Sequence, residues 1–437
     1  MNTPTTLDAW LAHVERLHHR PIDMSLERVR EVARRLDIAF ACPVVVVGGT
    51  NGKGSTCATL ESILRAAGYR VGLYTSPHLL LFNERVRIDG AEAGDDALVE
   101  QMAAVEHARA DVPLTYFEFT TLAILRLLMQ ARLDAVVLEI GLGGRLDAVN
   151  IVDADVSIIT SVDIDHAEYL GPTREHIGFE KAHIYRAGRP AICSDPQPPA
   201  SLLKVAGDLG ADLWLFGRDF NYAGLDYGKG LQQWAYGGRQ QRRASLPYPA
   251  LRGANQLLNA SGALAALEAL SDRLPISQQA VRTGLLTVEI AGRFQVLPGQ
   301  PAVVLDVAHN PHAAAVLAQN LDSQGFFPET HAVFGMLADK DATGVIRRVR
   351  DRIDHWHVGP TPGARGMSSA QLANLLRSEG VSSLTVHESL ADAFRAAEAA
   401  AKPDARIIVF GSFSTVAEVM RCRQRGADAA ASSRHGG

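Results

Sequence analysis

The chain alternates between short apolar runs and segments in which apolar residues recur every three to four positions. The runs at 44–47, 135–140 and 156–160 consist mainly of valine, isoleucine and leucine, and they predict buried strands. Between positions 7 and 17, and again between 26 and 36, the apolar residues fall on one face of a helix. Strands that alternate with helices are typical of an α/β fold with parallel sheets.

The same alternation continues in the last third of the chain, after a boundary near 288–292. Helical spacing separates five predicted strands there, which are Val303–Asp306, His331–Met336, His355–Val358, Leu384–Val386 and Ile407–Phe410. This pattern predicts a second parallel α/β domain.

Two stretches depart from the alternation. The segment from about 214 to 249 is rich in Gly, Tyr, Gln and Trp, which favours a small antiparallel β insert. From residue 426 the chain is rich in Ala, Ser, Arg and Gly, and we expect disorder. The predicted domains are therefore 1–290 with its insert, 291–425, and a tail at 426–437.

Composition argues against several classes of protein. Of the 437 residues, 47% are hydrophobic and 21% charged, and the net charge of −5 argues against a nucleic-acid-binding surface. No apolar run approaches the roughly 20 residues of a membrane helix, and the first nine residues lack an export signal pattern. Because Cys42, Cys57, Cys193 and Cys422 lie far apart, we expect reduced thiols in a cytoplasmic protein.

The stretch from Val44 to Thr56 carries the strongest chemical signal. A strand of four valines leads into a glycine-rich loop with Lys53, and a helix is predicted from 56 to 67. Glycines let backbone N–H groups turn toward a polyphosphate, while the helix N-terminus and the lysine add positive charge. The spacing departs from the standard Walker pattern, since Val47 replaces its first glycine and Gly54 follows the lysine. A turn that binds nothing is the alternative, but a lysine among glycines favours nucleotide binding.

Polar groups also follow other predicted strands. Glu139 lies at the end of an apolar strand, where a carboxylate can hold Mg²⁺ beside a P-loop; a bare buried carboxylate would be costly there. His166 follows the 156–160 strand, and metal binding and a solvated loop histidine are equally consistent with that position. Taken alone, Ser76 is an ordinary turn serine and Lys181 a surface lysine.

The P-loop and six further motifs resemble the folylpolyglutamate synthase family, relatives of the Mur ligases. The motifs are Gly49-Thr50-Asn51-Gly52-Lys53-Gly54-Ser55, Thr75-Ser76-Pro77-His78, Glu139 with Gly141-Leu142-Gly143-Gly144-Arg145-Leu146-Asp147, Asp165-His166, Glu180-Lys181-Ala182, Gly292-Arg293-Phe294-Gln295 and Asp306-Val307-Ala308-His309-Asn310-Pro311. This loop form is the family's own, which explains the departures from the Walker pattern. The resemblance spans 22–413 and implies a Mur-ligase-like fold, with a P-loop parallel-sheet ATPase domain followed by a smaller Rossmann-like α/β domain.

The resemblance also implies residue roles. The metal ligands would be Ser76, Glu139 and His166. Lys181 would be the lysine that family members carbamylate. The ATP contacts would be Thr50, Asn51, Gly52, Lys53, Gly54, Ser55, Asn259, Arg293 and Asp306.

The similarity is closest to the bifunctional bacterial members, which also bind pterin substrates. Their pterin-binding positions correspond to Ile22, Asp23, Met24, Thr115, Tyr116, Phe117, Glu118, Leu146, Asp147 and Ala148. The catalytic set would be Lys53, Lys181, His166 and His309, of which His309 either orients glutamate or holds its own loop.

The implied reaction is ATP-dependent ligation. ATP phosphorylates a substrate carboxylate, and the amine of L-glutamate attacks the acyl phosphate, releasing ADP and phosphate. The substrates would be dihydropteroate, giving dihydrofolate, and the γ-carboxyl of reduced folates, within folate biosynthesis and one-carbon metabolism. Implied cofactors are ATP and Mg²⁺, with a carbamylated Lys181 and a monovalent cation as further candidates. No nucleic-acid or membrane partner is expected, and nothing demands more than a monomer.

Three alternatives remain open at this point. The chain could be a folylpolyglutamate synthase only, or a Mur-type ligase acting on another acid. The short stretch before the P-loop disfavours the Mur-type reading, because a UDP-binding domain would precede the loop. A nucleotide-gated binding protein that uses the P-loop as a switch is the third alternative.

Overall fold

The computed structural model describes residues 4–20, 22–226, 232–253 and 255–435, with side chains at all of these except 225, 226, 232 and 426–435. The chain divides into two compact units. The first comprises Met1–Ala250 with Gln256–Val288, and the second comprises Leu251–Asn255 with Glu289–Gly437. Among the described residues no helix combines the length and apolar character needed to cross a membrane.

The first unit is built on an eight-stranded sheet in the order β4-β3-β2-β5-β1-β6-β7-β8. Its strands are β1 (Val44–Gly48), β2 (Val71–Tyr74), β3 (Val86–Ile88), β4 (Ala91–Glu92), β5 (Ala135–Glu139), β6 (Val156–Ile159), β7 (Pro190–Cys193) and β8 (Asp212–Leu215). The six strands β2, β5, β1, β6, β7 and β8 are parallel. At one edge, β3 pairs antiparallel with β2, and β4 pairs antiparallel with β3.

Helices cover both faces of this sheet. They are α1 (Leu7–Val14), α2 (Glu27–Arg35), α3 (Lys53–Ala66), α4 (Asp95–Arg109), α5 (Tyr116–Gln130), α6 (Ala167–Leu170), α7 (Arg174–Ala182), α8 (Ala200–Leu209), α9 (Gln256–Ala269) and α10 (Gln278–Thr287), with short 3₁₀ turns at Phe82–Arg85 and Ala148–Ile151. Val44 and Val46 belong to one core and Val45 and Val47 to the other. Because β1 is buried on both faces, its sequence is continuously apolar rather than alternating.

A separate three-stranded antiparallel sheet belongs to the same unit. Its strands are β9 (Asn221–Asp226), β10 (Gln232–Gly237) and β11 (Arg242–Pro247). Trp234 and Tyr236 are buried in the core that includes α9, and the Tyr236 hydroxyl donates to Glu268 at 2.8 Å. The composition shift at 214 precedes this sheet, since Trp214 lies in β8 and pairs in parallel with β7.

The second unit contains a six-stranded sheet in the order β12-β13-β17-β14-β15-β16. Its elements are β12 (Gln295–Leu297), β13 (Ala302–Leu305), α11 (Pro311–Ser323), β14 (Thr330–Phe334), α12 (Ala342–Val349), a 3₁₀ turn (Arg350–Arg352), β15 (His355–Val358), α13 (Ser369–Ser378), β16 (Leu384–Val386), α14 (Leu390–Ala400), β17 (Arg406–Phe410) and α15 (Phe413–His435). The five predicted strands are present and parallel, and β12 adds an antiparallel edge that the sequence did not indicate.

The C-terminal segment differs from the prediction of a disordered tail at 426–437. Helix α15 continues to His435. Its last turns contain several alanines, which have the highest helix propensity, and no proline. Residues 436 and 437 of the predicted tail lie outside the described residues.

Candidate active site

Four neighbouring strands of the first sheet bring the predicted phosphate and metal residues to one edge. Strands β2, β5, β1 and β6 are adjacent and parallel, so their carboxyl ends meet there. Ser76 follows β2, Glu139 ends β5, the P-loop follows β1, and His166 lies in the segment after β6. The register places Glu139 beside Val47, immediately before the P-loop. This is the arrangement that the ends of the predicted strands indicate.

The segment after β6 holds the P-loop in place. The Thr50 N–H donates to the Ser161 carbonyl at 2.8 Å, and the Thr50 hydroxyl donates to the Asp163 carbonyl at 3.0 Å. The Asn51 N–H donates to the Ser161 hydroxyl at 3.1 Å. These contacts fix the loop just before α3 begins at Lys53, three residues earlier than the predicted helix. The first N–H groups of α3 therefore point out of the helix at the end of the loop, where an anion can bind.

Gly52 lies at the closest approach between the P-loop and α9. Its φ of +91° is in the left-handed region, and a Cβ at this position would lie 2.5 Å from the Asn259 Oδ1. Asn259 is buried and lies in the first turn of α9. Its amide therefore packs directly on the P-loop, so that this predicted ATP contact lies next to the other loop residues.

Two lysines converge on one backbone oxygen of the loop. The Lys53 ammonium donates to the Gly49 carbonyl at 3.1 Å, and the Lys181 ammonium donates to the same oxygen at 2.9 Å. Lys181 is buried, so the surface location that its local sequence suggested is wrong. Burial and the positive charge of Lys53 lower the pKa of Lys181 to about 7, although Asp165 and Asp147 act in the opposite direction.

The three predicted metal ligands offer two oxygens and one imidazole nitrogen. The Glu139 carboxylate is buried and accepts a hydrogen bond from the Ser76 N–H at 3.1 Å, which places the serine next to it. His166 has a φ of +51°, its side chain is about one-third exposed (32%), and its N–H donates to Asp165 at 2.8 Å. Carboxylate and hydroxyl oxygens with one imidazole suit Mg²⁺ or Mn²⁺. The donor set therefore fits a hard divalent cation.

Asp147 organises the loop that follows β5. Its two carboxylate oxygens accept from the Leu142 N–H at 2.7 Å and the Val149 N–H at 2.9 Å. The side chain is buried, and this burial raises the pKa of Asp147 to about 6 despite these hydrogen bonds. A carboxylate predicted to bind substrate thus has a clear role in holding the loop.

The C-terminal end of α7 packs on the same loop and so positions Lys181. A Cβ at Gly144 would lie 2.7 Å from the Glu180 carbonyl and 3.0 Å from the Lys181 Cα, so only glycine allows this approach. Arg145 pairs with the Glu180 carboxylate at 2.9 Å. The Gly-Gly-Arg sequence therefore docks the end of α7 so that the lysine points at the P-loop.

The predicted pterin segments also come together around this loop. Arg28 pairs with Asp23 at 3.3 Å and with Glu118 at 3.1 Å, which links the first two segments. A Cβ at Gly141 would lie 2.5 Å from the Phe117 ring, and one at Gly143 would lie 3.9 Å from the Met24 Cε. Segments 22–24 and 115–118 thus border the loop after β5, and the third segment, 146–148, forms the end of that loop.

Two of these residues have a structural role as well. Thr115 caps α5, since its hydroxyl accepts from the Glu118 N–H at 3.2 Å and the Glu118 carboxylate accepts from the Thr115 N–H at 2.8 Å. The helix begins at Tyr116, six residues before the continuous apolar pattern that starts at Leu122. The Thr-x-x-Glu spacing was the sequence signal for this earlier start.

In the second unit, the predicted residues lie after β13 and beside α15. The Asp306 carboxylate accepts from the Phe294 N–H at 2.9 Å and the Ala308 N–H at 2.8 Å, and its burial raises its pKa. The Arg293 guanidinium lies 4.9 Å from the centre of the Phe413 ring. His309 Nδ1 lies 2.8 Å from the Val307 carbonyl, a contact that orders its own loop.

Comparison with known proteins places these features in a family. The Mur ligase middle domain matches residues 47–267, and the glutamate ligase domain of Mur ligases matches residues 292–413. The dihydrofolate synthase/folylpolyglutamate synthase of Escherichia coli K12 is 45% identical over 415 residues, which cover 95% of this chain and 94% of that protein. The chain belongs to the folylpolyglutamate synthase family.

Solved structures of folylpolyglutamate synthases share the fold over nearly the full chain. Escherichia coli FolC in complex with DHPP and ADP superposes with a TM-score of 0.92 at 43% identity, covering 98% of this chain and 100% of that one. A bifunctional folylpolyglutamate synthase/dihydrofolate synthase with Mn, AMPPNP and L-glutamate bound gives a TM-score of 0.88 at 44% identity, with 97% and 100% coverage. As a member of this family, the chain is an ATP-dependent ligase with ATP and a divalent cation as cofactors.

The sequence analysis did not identify several residues that help to build the site. Thr160 and Ser161 both donate to the Asn51 carbonyl, at 2.7 and 3.0 Å, and Arg28 joins two of the predicted pterin segments. For Thr160 and Ser161 the only signal was their position after a strand. No local pattern distinguished Arg28 from the other arginines of α2.

Proposed function

We propose that this chain joins L-glutamate to dihydropteroate, forming dihydrofolate, and to the γ-carboxyl group of reduced folates, extending a polyglutamate chain. The observation that carries the chemistry is the convergence of Lys53 and Lys181 on the Gly49 carbonyl, at 3.1 and 2.9 Å. The Lys53 ammonium and the helix N-terminus supply positive charge, and the buried Lys181 amine lies next to them. This arrangement suits a reaction in which a phosphoryl group and a carboxylate, both anionic, must be brought together.

In the proposed reaction the protein positions groups and stabilises charge. Lys53 and the N–H groups at the start of α3 hold the phosphates of ATP, and Asn259 buttresses the loop at Gly52. Ser76, Glu139 and His166 would hold Mg²⁺, which neutralises phosphate charge when bound. The γ-phosphoryl group passes to the substrate carboxylate, the P–O bond to ADP breaks, and the glutamate amine then displaces phosphate from the acyl phosphate.

Lys181 is proposed to be carbamylated. Its neutral amine would attack CO₂ and lose one proton, which gives a carbamate anion able to help hold the metal. A pKa of about 7 supports this step, because much of the amine is then unprotonated near neutral pH. In ¹³C-bicarbonate NMR, we expect a carbamate resonance that Lys181→Met abolishes and that Lys204→Met, at an exposed lysine on α8, retains. A resonance that persists in Lys181→Met would contradict the proposal.

The substrate acid is proposed to bind along the loop after β5. Support comes from Met24 and Phe117, which border Gly143 and Gly141, and from the Asp147 contacts that fix the loop. Arg293 and Asp306 of the second unit are proposed to contribute to ATP binding. The proposed role of His309 is to hold its own loop through the Val307 carbonyl.

The deciding experiment is phosphate release from Mg-ATP and L-glutamate with dihydropteroate, with tetrahydrofolate, or without a pterin. Release with both pterins is the expected result. Release with tetrahydrofolate alone would reduce the chain to a folylpolyglutamate synthase, and release with neither would overturn the folate assignment. Lys53→Ala should abolish the pterin-dependent release, whereas Lys204→Ala, at an exposed position, should match the wild type.

We also propose that the enzyme acts as a cytoplasmic monomer on small-molecule substrates. All four cysteines are unpaired in the structure, and Cys57 and Cys193 are buried with thiol pKa values raised by burial. Unpaired, unreactive thiols suit a reducing compartment. Sedimentation of the purified chain with and without Mg-ADP would test the monomeric state.

A further inference from the structure

Four histidines and a glutamate gather on one face of the second sheet. The register pairs His331 of β14 with His355 of β15, and their rings stack with centroids 4.7 Å apart. His357 lies two residues beyond His355 and therefore on the same face. The paired His331 and His355 lie near the amino ends of their strands, whereas Asp306 follows the carboxyl end of β13. The cluster is thus separate from the predicted active-site residues of this unit.

Three of these residues bring possible ligand atoms close together. One such atom from each of Glu329, His331 and His355 lies within 4.8 Å of the other two. The His331 Nε2 lies 3.8 Å from the Glu329 Oε2, outside hydrogen-bonding distance. His331 is only 3% exposed, and this nitrogen has no hydrogen-bond partner among the described residues. A buried polar atom in this condition is costly unless a ligand satisfies it.

Each of the three side chains also has a further polar partner. His355 Nδ1 lies 2.8 Å from the Ser383 hydroxyl, and His331 Nδ1 lies 3.4 Å from His357 Nε2. The Glu329 Oε1 accepts from the Lys402 ammonium at 3.0 Å. Outer partners of this kind orient metal ligands and fix their tautomers, leaving Nε2 of both histidines and one carboxylate oxygen for the ion.

The histidine row continues beyond the three ligands, through His357 to His387. His357 Nδ1 lies 3.2 Å from His387 Nε2, so one N–H···N chain leads from His331 to His387. Burial and the neighbouring His355 lower the pKa of His331, and burial with its three neighbours lowers that of His357 to about 4.

We propose that Glu329, His331 and His355 form a binding site for a divalent transition-metal ion of the zinc class, with a fourth position open to water. Two imidazoles and one carboxylate suit Zn²⁺, Co²⁺ or Ni²⁺ far better than Mg²⁺. The Glu329 side chain is 28% exposed, which gives the ion a path from solvent and lets the carboxylate rotate toward the histidines. The bound ion would connect His355 of β15 with His331 of β14 and with Glu329, the residue before β14.

Zn²⁺ and Co²⁺ binding to the full chain tests this site. In equilibrium dialysis after chelation, with excess Mg²⁺ present, we expect one Zn²⁺ site that weakens at least tenfold in His355→Ala and Glu329→Gln. Ser383→Ala should weaken it about tenfold, because it removes only an outer partner. Bound Co²⁺ should show the intense visible absorption of a tetrahedral site, and His355→Ala should lose it.

Two controls decide where the ion binds. His107→Ala, at an exposed histidine on α4, should bind Zn²⁺ like the wild type. Glu139→Gln should also retain the site, since it alters only the proposed Mg²⁺ ligands. Loss of binding in Glu139→Gln with retention in His355→Ala would assign the ion to the active site and overturn the proposal. Absence of Zn²⁺ binding to the folded wild type would overturn it as well.

Discussion

At the scale of single residues, the most unusual side chain is Lys181. Its ammonium group is buried beside Lys53 and donates a hydrogen bond to the Gly49 carbonyl. The Asp165 and Asp147 carboxylates raise its pKa, but they offset only part of the lowering that burial causes. A structural lysine in this setting would be a liability, because burial disfavours the charged form. The free-energy cost of burying this lysine therefore indicates that the position serves function rather than stability.

That cost predicts a pH-dependent stability. Because the pKa of Lys181 falls from its ordinary value of 10.5 to about 7 on folding, the unfolded chain binds more protons between these values. Stability from this group therefore rises with pH from about 7 toward 10.5, by at most about 1.4 kcal/mol per pH unit. Lys181→Met should be more stable than the wild type near pH 7, and this advantage should shrink by pH 9.

Urea unfolding in CO₂-free buffer with EDTA measures this difference. Lys204→Met provides the matched control, since Lys204 is exposed on α8, and its curve should run parallel to that of the wild type. A constant difference between Lys181→Met and the wild type across pH 7–9 would contradict the lowered pKa.

Asp147 is the second residue whose energetics can be tested. Asp147→Ala leaves the Leu142 and Val149 N–H groups without their acceptor, and each unsatisfied buried group costs about 1–3 kcal/mol. We expect lower stability and a larger rise in KM for dihydropteroate than for ATP. Asp147→Asn keeps one acceptor oxygen, so its stability and its KM for dihydropteroate should lie between those of the wild type and Asp147→Ala. Asp208→Ala, at an exposed position, should change neither quantity. Equal KM changes for both substrates would contradict the proposed role of the loop after β5 in substrate binding.

At the scale of elements, helix α3 offers a matched pair of glycines at its two ends. Gly52 and Gly68 both have a φ of +91°, so alanine is strained by about 1–2 kcal/mol at either position. At Gly52 the added Cβ would also lie 2.5 Å from Asn259, whereas nothing lies within 4 Å at Gly68. Gly52→Ala should therefore weaken ATP binding at least tenfold, and Gly68→Ala should lower only stability.

Isothermal titration of Mg-ADP into both variants separates strain from site geometry. Similar affinities in Gly52→Ala and Gly68→Ala would show that the contact between the P-loop and α9 has no bearing on nucleotide binding. An affinity loss in Gly52→Ala alone is the expected outcome.

The elements also show how far sequence reasoning reaches. The β1 strand was predictable because four consecutive valines satisfy a sheet buried on both faces. The start of α5 was not found from periodicity, since its first turn is aromatic, although the Thr115 capping box marks it. The burial of Lys181 was not predictable locally, because it depends on α7 packing against Gly144, which lies more than 30 residues away in the chain.

At the scale of the whole molecule, the division into two compact units reflects separate hydrophobic cores. The first unit buries its strands between two core layers, while the second is built around Phe334, Trp356 and Phe410, each almost fully buried. The alternation of strand and helix patterns along the sequence predicted two α/β domains, each with its own core. It could not show that residues 251–255 belong with the second unit, since that assignment depends on contacts distant in sequence.

Separate cores predict separate responses to mutation and to nucleotide. Phe334→Ala should destabilise the second unit by about 3–5 kcal/mol, because it opens a cavity in a close-packed core. Phe326→Ala removes the same side chain from a position that is 91% exposed in the same unit, and it should cost less than about 0.5 kcal/mol. Mg-ADP at 100 times its dissociation constant should stabilise the P-loop unit by about 2.7 kcal/mol.

Scanning calorimetry with and without Mg-ADP tests this picture. Phe334→Ala should lower the transition of the second unit. Lys53→Ala should abolish the shift that nucleotide causes in the transition of the P-loop unit, and it should leave the transition of the second unit unchanged. If Phe334→Ala lowers every transition by the same amount, the two cores unfold as one cooperative body, and the division into units is geometric rather than energetic.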